Sequence, residues 1–164
     1  MIQLQKLDHL VLRANDAPAL VDFYVSVLGC VVERQLDLGL IQLRAGECLI
    51  DIVPVSGQLG QLGGAGPTQE GRNLDHFCFL VADFDAAAIV AELEGHGINP
   101  KSAATRYGAQ GYARSIYLDD PEGNTIELRE ALSQPNFKEL HEKQRANRSA
   151  RARSTAPHSS APQR

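Results

Sequence analysis

Leu7-Asp8-His9-Leu10-Val11-Leu12 returns further along the chain as Leu74-Asp75-His76-Phe77-Cys78-Phe79. Each copy is followed by a second shared signal, Ile50-Asp51-Ile52 in the first half and Ile126-Glu127-Leu128 in the second. Side chains of a strand alternate between its two faces. The aliphatics flanking Asp51 therefore share one face and the carboxylate takes the other, and Glu127 is placed in the same way. In the first strand Leu10 and Leu12 take the aliphatic face, leaving His9 with Leu7 and Val11; His76 follows suit. If the aliphatics pack on helices, two histidines and two carboxylates converge inside an apolar cleft. That is a plausible metal site.

Working outward, both halves follow one order. The first opens with a strand at about Leu4–Arg13. Asn15-Asp16-Ala17-Pro18 then starts a helix, with Asp16 as N-cap and Pro in the first turn. Ala19, Leu20, Phe23, Tyr24 and Val27 recur at helical spacing up to Leu28-Gly29. Strands near Cys30–Leu36, Leu38–Ala45 and Cys48–Val55 follow. The second half has a strand at Asp75–Val81, a helix ending at His96-Gly97, and strands at about Asn99–Thr105, Arg114–Asp119 and Asn124–Arg129. Asp120-Pro121-Glu122-Gly123-Asn124 is a turn, with Pro pre-setting one dihedral and Gly taking positive φ. This predicts an α+β fold of two βαβββ modules, about 4–55 and 74–131, forming a cupped mixed sheet around a central cavity. Between them runs a Gly-rich stretch, 56–73, whose composition suits a flexible connector. It lacks the Lys-Ser/Thr ending and the flanking strand and helix of a phosphate loop, which excludes nucleotide binding by that device.

Composition is that of an ordinary globular protein of one domain. No apolar run is long enough to span a bilayer, and Lys6 and Asp8 interrupt any signal-peptide core. Cys30, Cys48 and Cys78 have no CxxC spacing and read as buried free thiols in a reducing cytoplasm. Charge divides unevenly: residues 1–132 carry a net −9, whereas residues 133–164 carry +5. The domain is therefore placed at 1–132, and 133–164 is a basic, mostly disordered tail. A helix at about Pro135–Arg153, docking through Phe137 and Leu140, is the exception expected there. No aromatic residues are interleaved with the tail's arginines, which argues against nucleic acid as a partner.

The chain resembles the vicinal oxygen chelate superfamily, which includes glyoxalase I, bleomycin resistance proteins and extradiol dioxygenases. The resemblance covers roughly residues 4–131. It rests on Leu-Asp-His-Leu-Val-Leu, the Asp22-Phe23-Tyr24 to Leu28-Gly29 stretch, Asp120-Pro121-Glu122-Gly123-Asn124 and Ile126-Glu127-Leu128. In such proteins the first strand of each half supplies a histidine and the last a carboxylate. The resemblance thus implies His9, Asp51, His76 and Glu127 as ligands of one divalent ion: Ni, Zn, Mn, Co or Fe. Nitrogen and oxygen donors suit these metals, and no thiolate is placed to shift that choice.

The implied activity is that of a metal-dependent lyase or isomerase of glyoxalase I type, acting on a small carbonyl or thiol-conjugate substrate through an enolate-like intermediate. Glu127 is the candidate base and Asp51 its partner. Asp51 is one methylene shorter than the Glu glyoxalases carry there, so it binds directly, through water, or not at all. Three ligands alone would suit a non-haem iron ring-cleaving dioxygenase; a ligand-binding protein of bleomycin-resistance type needs none. Arg13, four residues after His9, either receives a substrate carboxylate or pairs with a surface acid. Ile52-Val53-Pro54-Val55 lacks the Asn that follows in glutathione-using relatives. Tyr112 and Arg114, near Gly108 and Gly111, are candidate substrate contacts. The superfamily also implies a homodimer, with the modules pairing either within one chain or across two.

Overall fold

The computed structural model describes residues 2–134, so the helix expected at 135–153 lies outside the described residues. The first module comprises β1 (His9–Ala14), α1 (Ala17–Ser26), β2 (Val31–Leu36), β3 (Leu40–Ala45) and β4 (Cys48–Pro54). After a short α2 (Gln58–Gln61) comes the second module: β5 (His76–Val81), α3 (Ala86–Gly95), β6 (Ala104–Gly108), β7 (Gly111–Asp119) and β8 (Thr125–Glu130). Each module is a four-stranded mixed sheet, ordered β1-β4-β3-β2 and β5-β8-β7-β6. The histidine strand lies parallel to the carboxylate strand in both, and the other pairs are antiparallel.

Local chemistry accounts for the element ends. The Asp16 carboxylate accepts from the Ala19 amide at 3.1 Å, and Asp85 caps α3 through Ala87 and Ala88. Gly97, at φ +76, closes α3, with the Ile98 amide bonded back to the Leu93 carbonyl. β1 begins at His9 rather than near Leu4. Its ladder partner β4 begins only at Cys48; before His9 the Asp8 carbonyl accepts from the Leu49 amide at 3.2 Å, and residues 2–7 lie beyond the ladder. They are exposed, Ile2 and Leu4 almost completely.

The 56–73 segment is more than a loose connector. It carries α2, and the Arg13 guanidinium binds four of its carbonyls: Gly63 at 3.0 Å, Ala65 at 2.6 Å, and Gly60 and Gly64 at 2.8 Å each. Four of the five guanidinium protons are thereby used, and the buried Nε has no partner.

One core serves both modules. Leu12, Leu20, Tyr24, Leu43, Ile50 and Ile52 of the first are in a single buried cluster with Leu93, Ile116, Leu118, Ile126 and Leu128 of the second. These are the helix-side faces of both sheets together with residues of α1 and α3, so the modules stand back to back. The two sheets do not close into one cup within the chain, and their histidine-bearing faces turn away from the shared core. Burial drives this choice: the aliphatic faces hide from water in one core with the helices, α1 lying against β1, β3 and β4.

Candidate functional site

Alternation places the site residues as expected on the faces opposite the core. On the first sheet Asp51 is buried, 6% exposed. Its neighbour across β3 is Gln42, whose Nε2 lies 3.0 Å from each carboxylate oxygen. His9, at the sheet's edge, is about half exposed, and its Nδ1 lies 2.9 Å from Asp8 Oδ2. That bond raises the imidazole's pKa, burial opposes it, and the field of Asp51 adds to it.

The second sheet holds its pair more tightly. His76 Nδ1 lies 2.7 Å from Asp75 Oδ2, and its Nε2 is 3.4 Å from Glu127 Oε2. The other glutamate oxygen, Oε1, accepts from the Ser115 hydroxyl and lies 3.4 Å from Arg129 Nη1. Burial pushes Glu127's pKa up, but hydrogen bonds from Ser115, Tyr117 and Arg129 outweigh it, and the carboxyl sits below its ordinary range. The His76 ring stands edge-on to Tyr117, 5.4 Å between centroids. In each half an aspartate orients a histidine through Nδ1 and leaves Nε2 for another partner, the arrangement that steers metal-binding imidazoles.

The four residues are therefore brought together two by two. Among the described residues no three His, Cys, Asp or Glu side chains come together as a metal-holding group. His9 with Asp51, and His76 with Glu127, are two separate pairs, each on its own sheet.

Several expectations need correction. Arg114 shares the face of Ile116 and Leu118, opposite Glu127. It forms a two-pronged ion pair with Glu130 at 3.0 Å, donates to the Phe84 carbonyl at 3.1 Å and lies over the Phe84 ring. Tyr112 has the same parity; it is 72% exposed and packs edge-on against Tyr107. The β7 residues that do join the site face are Ser115 and Tyr117, whose odd numbering matches their register opposite Arg129 and Glu127. That parity is legible in the sequence. Arg13 lies on the site face, but the connector's carbonyls occupy its terminal nitrogens.

Cys78 is exposed rather than buried, because it follows His76 by two residues on the same face of the edge strand β5 and sits opposite Glu127 in register. A thiol does stand beside the His76–Glu127 pair. Although the residue is exposed, partial desolvation of the thiol and the nearby Glu127 push its pKa up to about 12. Arg129, 3% exposed, is a further participant without a signal in the motif itself.

Comparison with known proteins agrees with this architecture. Over 134 residues the chain is 29% identical to the glyoxalase domain-containing protein RDO1 of Mycosarcoma maydis, covering 77% of this chain and 69% of that protein. It superposes on the integron cassette protein VCH_CASS1 of V. cholerae with a TM-score of 0.65 and 28% identity, over 80% of this chain and 99% of the other. A lactoylglutathione lyase from Agrobacterium tumefaciens matches with a TM-score of 0.58 over 78% and 95% of the two chains. At 21% identity, that likeness speaks for the fold alone. The family model for the glyoxalase/bleomycin resistance protein/dioxygenase superfamily matches residues 6–128. With repeated modules, paired histidine and carboxylate strands, and that match over most of its length, the chain belongs to this superfamily.

Proposed function

We propose that this protein is a metal-dependent lyase or isomerase that acts on a small carbonyl or thiol-conjugate substrate through an enolate-like intermediate. Each site is assembled from the His9–Asp51 half of one copy and the His76–Glu127 half of another. The observation that carries this reading is the approach of His76 Nε2 to Glu127 Oε2, 3.4 Å apart, with Asp75 holding the imidazole's other nitrogen. The donor set fits one divalent ion: imidazole nitrogen from His9 and His76, carboxylate oxygen from Asp51 and Glu127. Such an ion supplies Lewis acidity toward a substrate carbonyl.

The chain's own groups supply the rest. Glu127, kept ionised by its hydrogen bonds, takes a proton from the carbon beside the carbonyl and returns it to the neighbouring position. Asp51 joins when the Gln42 amide turns aside. Arg13 receives a substrate carboxylate only by releasing connector carbonyls, which favours a substrate that does not demand it. Pairing of copies is supported by the exposed apolar residues around the half-sites, Leu7, Val11 and Leu80. β1 and β5 are also the outermost strands of their sheets. A cytoplasmic location is in keeping with three free cysteines, and no described helix is long and apolar enough to cross a membrane.

A second reading has its own support. Because Gln42 spans both oxygens of Asp51, His9, His76 and Glu127 alone would form a three-ligand site of the kind non-haem iron oxygenases use. Elemental analysis of the purified protein beside Asp51→Ala separates the two. Nickel or zinc lost from the variant, with turnover of a hemithioacetal by the wild type, supports the lyase. Iron retained in the variant, with oxygen uptake on a catechol, supports the oxygenase. A wild type that binds none of these ions overturns both and leaves a ligand-binding protein.

A further inference from the structure

Arg129 is an unusual residue to find inside this sheet. It is 3% exposed and lies two positions after Glu127, on the same face. Its Nη2 donates to the carbonyls of Arg106, at 2.9 Å, and Gly111, which anchors it to the β6–β7 hairpin. Its Nη1 turns the other way, 3.2 Å from Ser115 Oγ and 3.4 Å from Glu127 Oε1. Ser115 is fully buried, and its hydroxyl donates to that same oxygen. The Nε has no partner and lies beneath Gly108, where an added Cβ would come 2.9 Å from it.

The first module has no such device. Two residues after Asp51 stands Val53, and the neutral Gln42 amide covers both carboxylate oxygens. Glu127 is held at Oε1 by Ser115 and Arg129, while Oε2 lies 3.4 Å from His76 Nε2 and Tyr117 hydrogen-bonds the same carboxylate. Two otherwise equivalent carboxylates are thus prepared differently.

We propose that Arg129 and Ser115 are positioning residues that pin Glu127 by Oε1, so that Oε2 alone is presented beside His76 and the second half-site is preformed. This rests on the reading of Glu127 and His76 as metal ligands. Without the pin, Glu127 has two equivalent oxygens and several rotamers, and ordering it costs affinity on binding. Partners that orient a ligand in this way are worth about 10- to 100-fold in metal affinity.

The test is a cobalt(II) titration of the full-length protein, followed by visible absorption, with Ser115→Ala, Arg129→Met and Glu127→Gln beside wild type. Melting temperatures are taken on the same samples. The proposal expects Ser115→Ala and Arg129→Met each to bind cobalt about 10- to 100-fold more weakly than wild type. Wild-type affinity in both folded variants, with affinity lost in Glu127→Gln, overturns the positioning role and leaves the ligand assignment standing. Where Arg129→Met does not fold, Ser115→Ala reads the same oxygen. Where wild type itself binds no cobalt, the functional reading fails, and the positioning role is read from a metal-free crystal structure of Ser115→Ala. Glu127 Oε2 displaced from His76 supports the pin; a carboxylate still 3.4 Å from the ring overturns it.

Discussion

The Tyr24 hydroxyl donates to Asp120 Oδ2 at 2.9 Å, from a helix of the first module to a turn of the second. Tyr24 has no exposed surface and Asp120 only 5%. Asp120 also accepts from the Asn124 side chain and from the amides of Glu122 and Asn124. One residue therefore closes its own turn and ties the two modules back to back. Tyr24→Phe keeps the ring and removes the donor, leaving a buried carboxylate one hydrogen bond short. Expected is a loss of about 1.5–3 kcal/mol in urea denaturation, the range for hydrogen bonds to charged groups.

Arg13 and Arg129 make a related pair of contacts. Each guanidinium lies flat beneath a glycine, Gly63 or Gly108, where an added Cβ would sit 2.8 or 2.9 Å from the central carbon. Both arginines are held by backbone carbonyls and cannot easily move aside. Gly63→Ala and Gly108→Ala are each expected to destabilise by about 1–3 kcal/mol, as overpacking does. Gly95→Ala, where nothing lies within 4 Å of the new atom, serves as the control in thermal melts.

Glu127 titrates below its ordinary value of 4.5. A carboxyl whose pKa is lower folded than unfolded contributes stability that is present above the unfolded value and lost as pH falls through the folded one. Melting temperature should therefore decline below about pH 4.5 through this group. Glu127→Gln, measured from pH 7 to pH 3, should show a shallower acid decline than wild type. An unchanged slope would show that other carboxyls dominate acid unfolding.

The repeated Asp-His motif and the turn Asp120–Asn124 are legible in the sequence, because strand alternation and turn chemistry are local. The correct faces of His9, Asp51, His76 and Glu127 follow from counting by two. The same count applied to β7 selects Ser115 and Tyr117 over Tyr112 and Arg114. Arg129 is not legible in this way: a lone arginine two residues past a glutamate reads as surface charge until the β6–β7 hairpin folds over it.

The proposed assembly of a site from two copies has a direct check. His9→Ala and His76→Ala each lack one half-site, and mixing them after reversible dissociation creates dimers in which one of the two sites has both intact halves. With random pairing of copies in a symmetric dimer, about a quarter of wild-type cobalt binding should return in the mixture. No recovery, with each variant folded and dimeric, would place both halves of a site in one chain.

The doubled sequence by itself determined two βαβββ modules and, through the two-residue period of a strand, which side chains share a face. It did not determine which faces meet. That was decided by tertiary packing, in which the aliphatic faces of both sheets and their helices share one core, tied across by Tyr24 and Asp120. The physical reason is that alternation is set by neighbouring residues along one strand, whereas burial is shared among residues far apart in the chain. The two histidine–carboxylate pairs were left on separate sheets, on the faces away from that core.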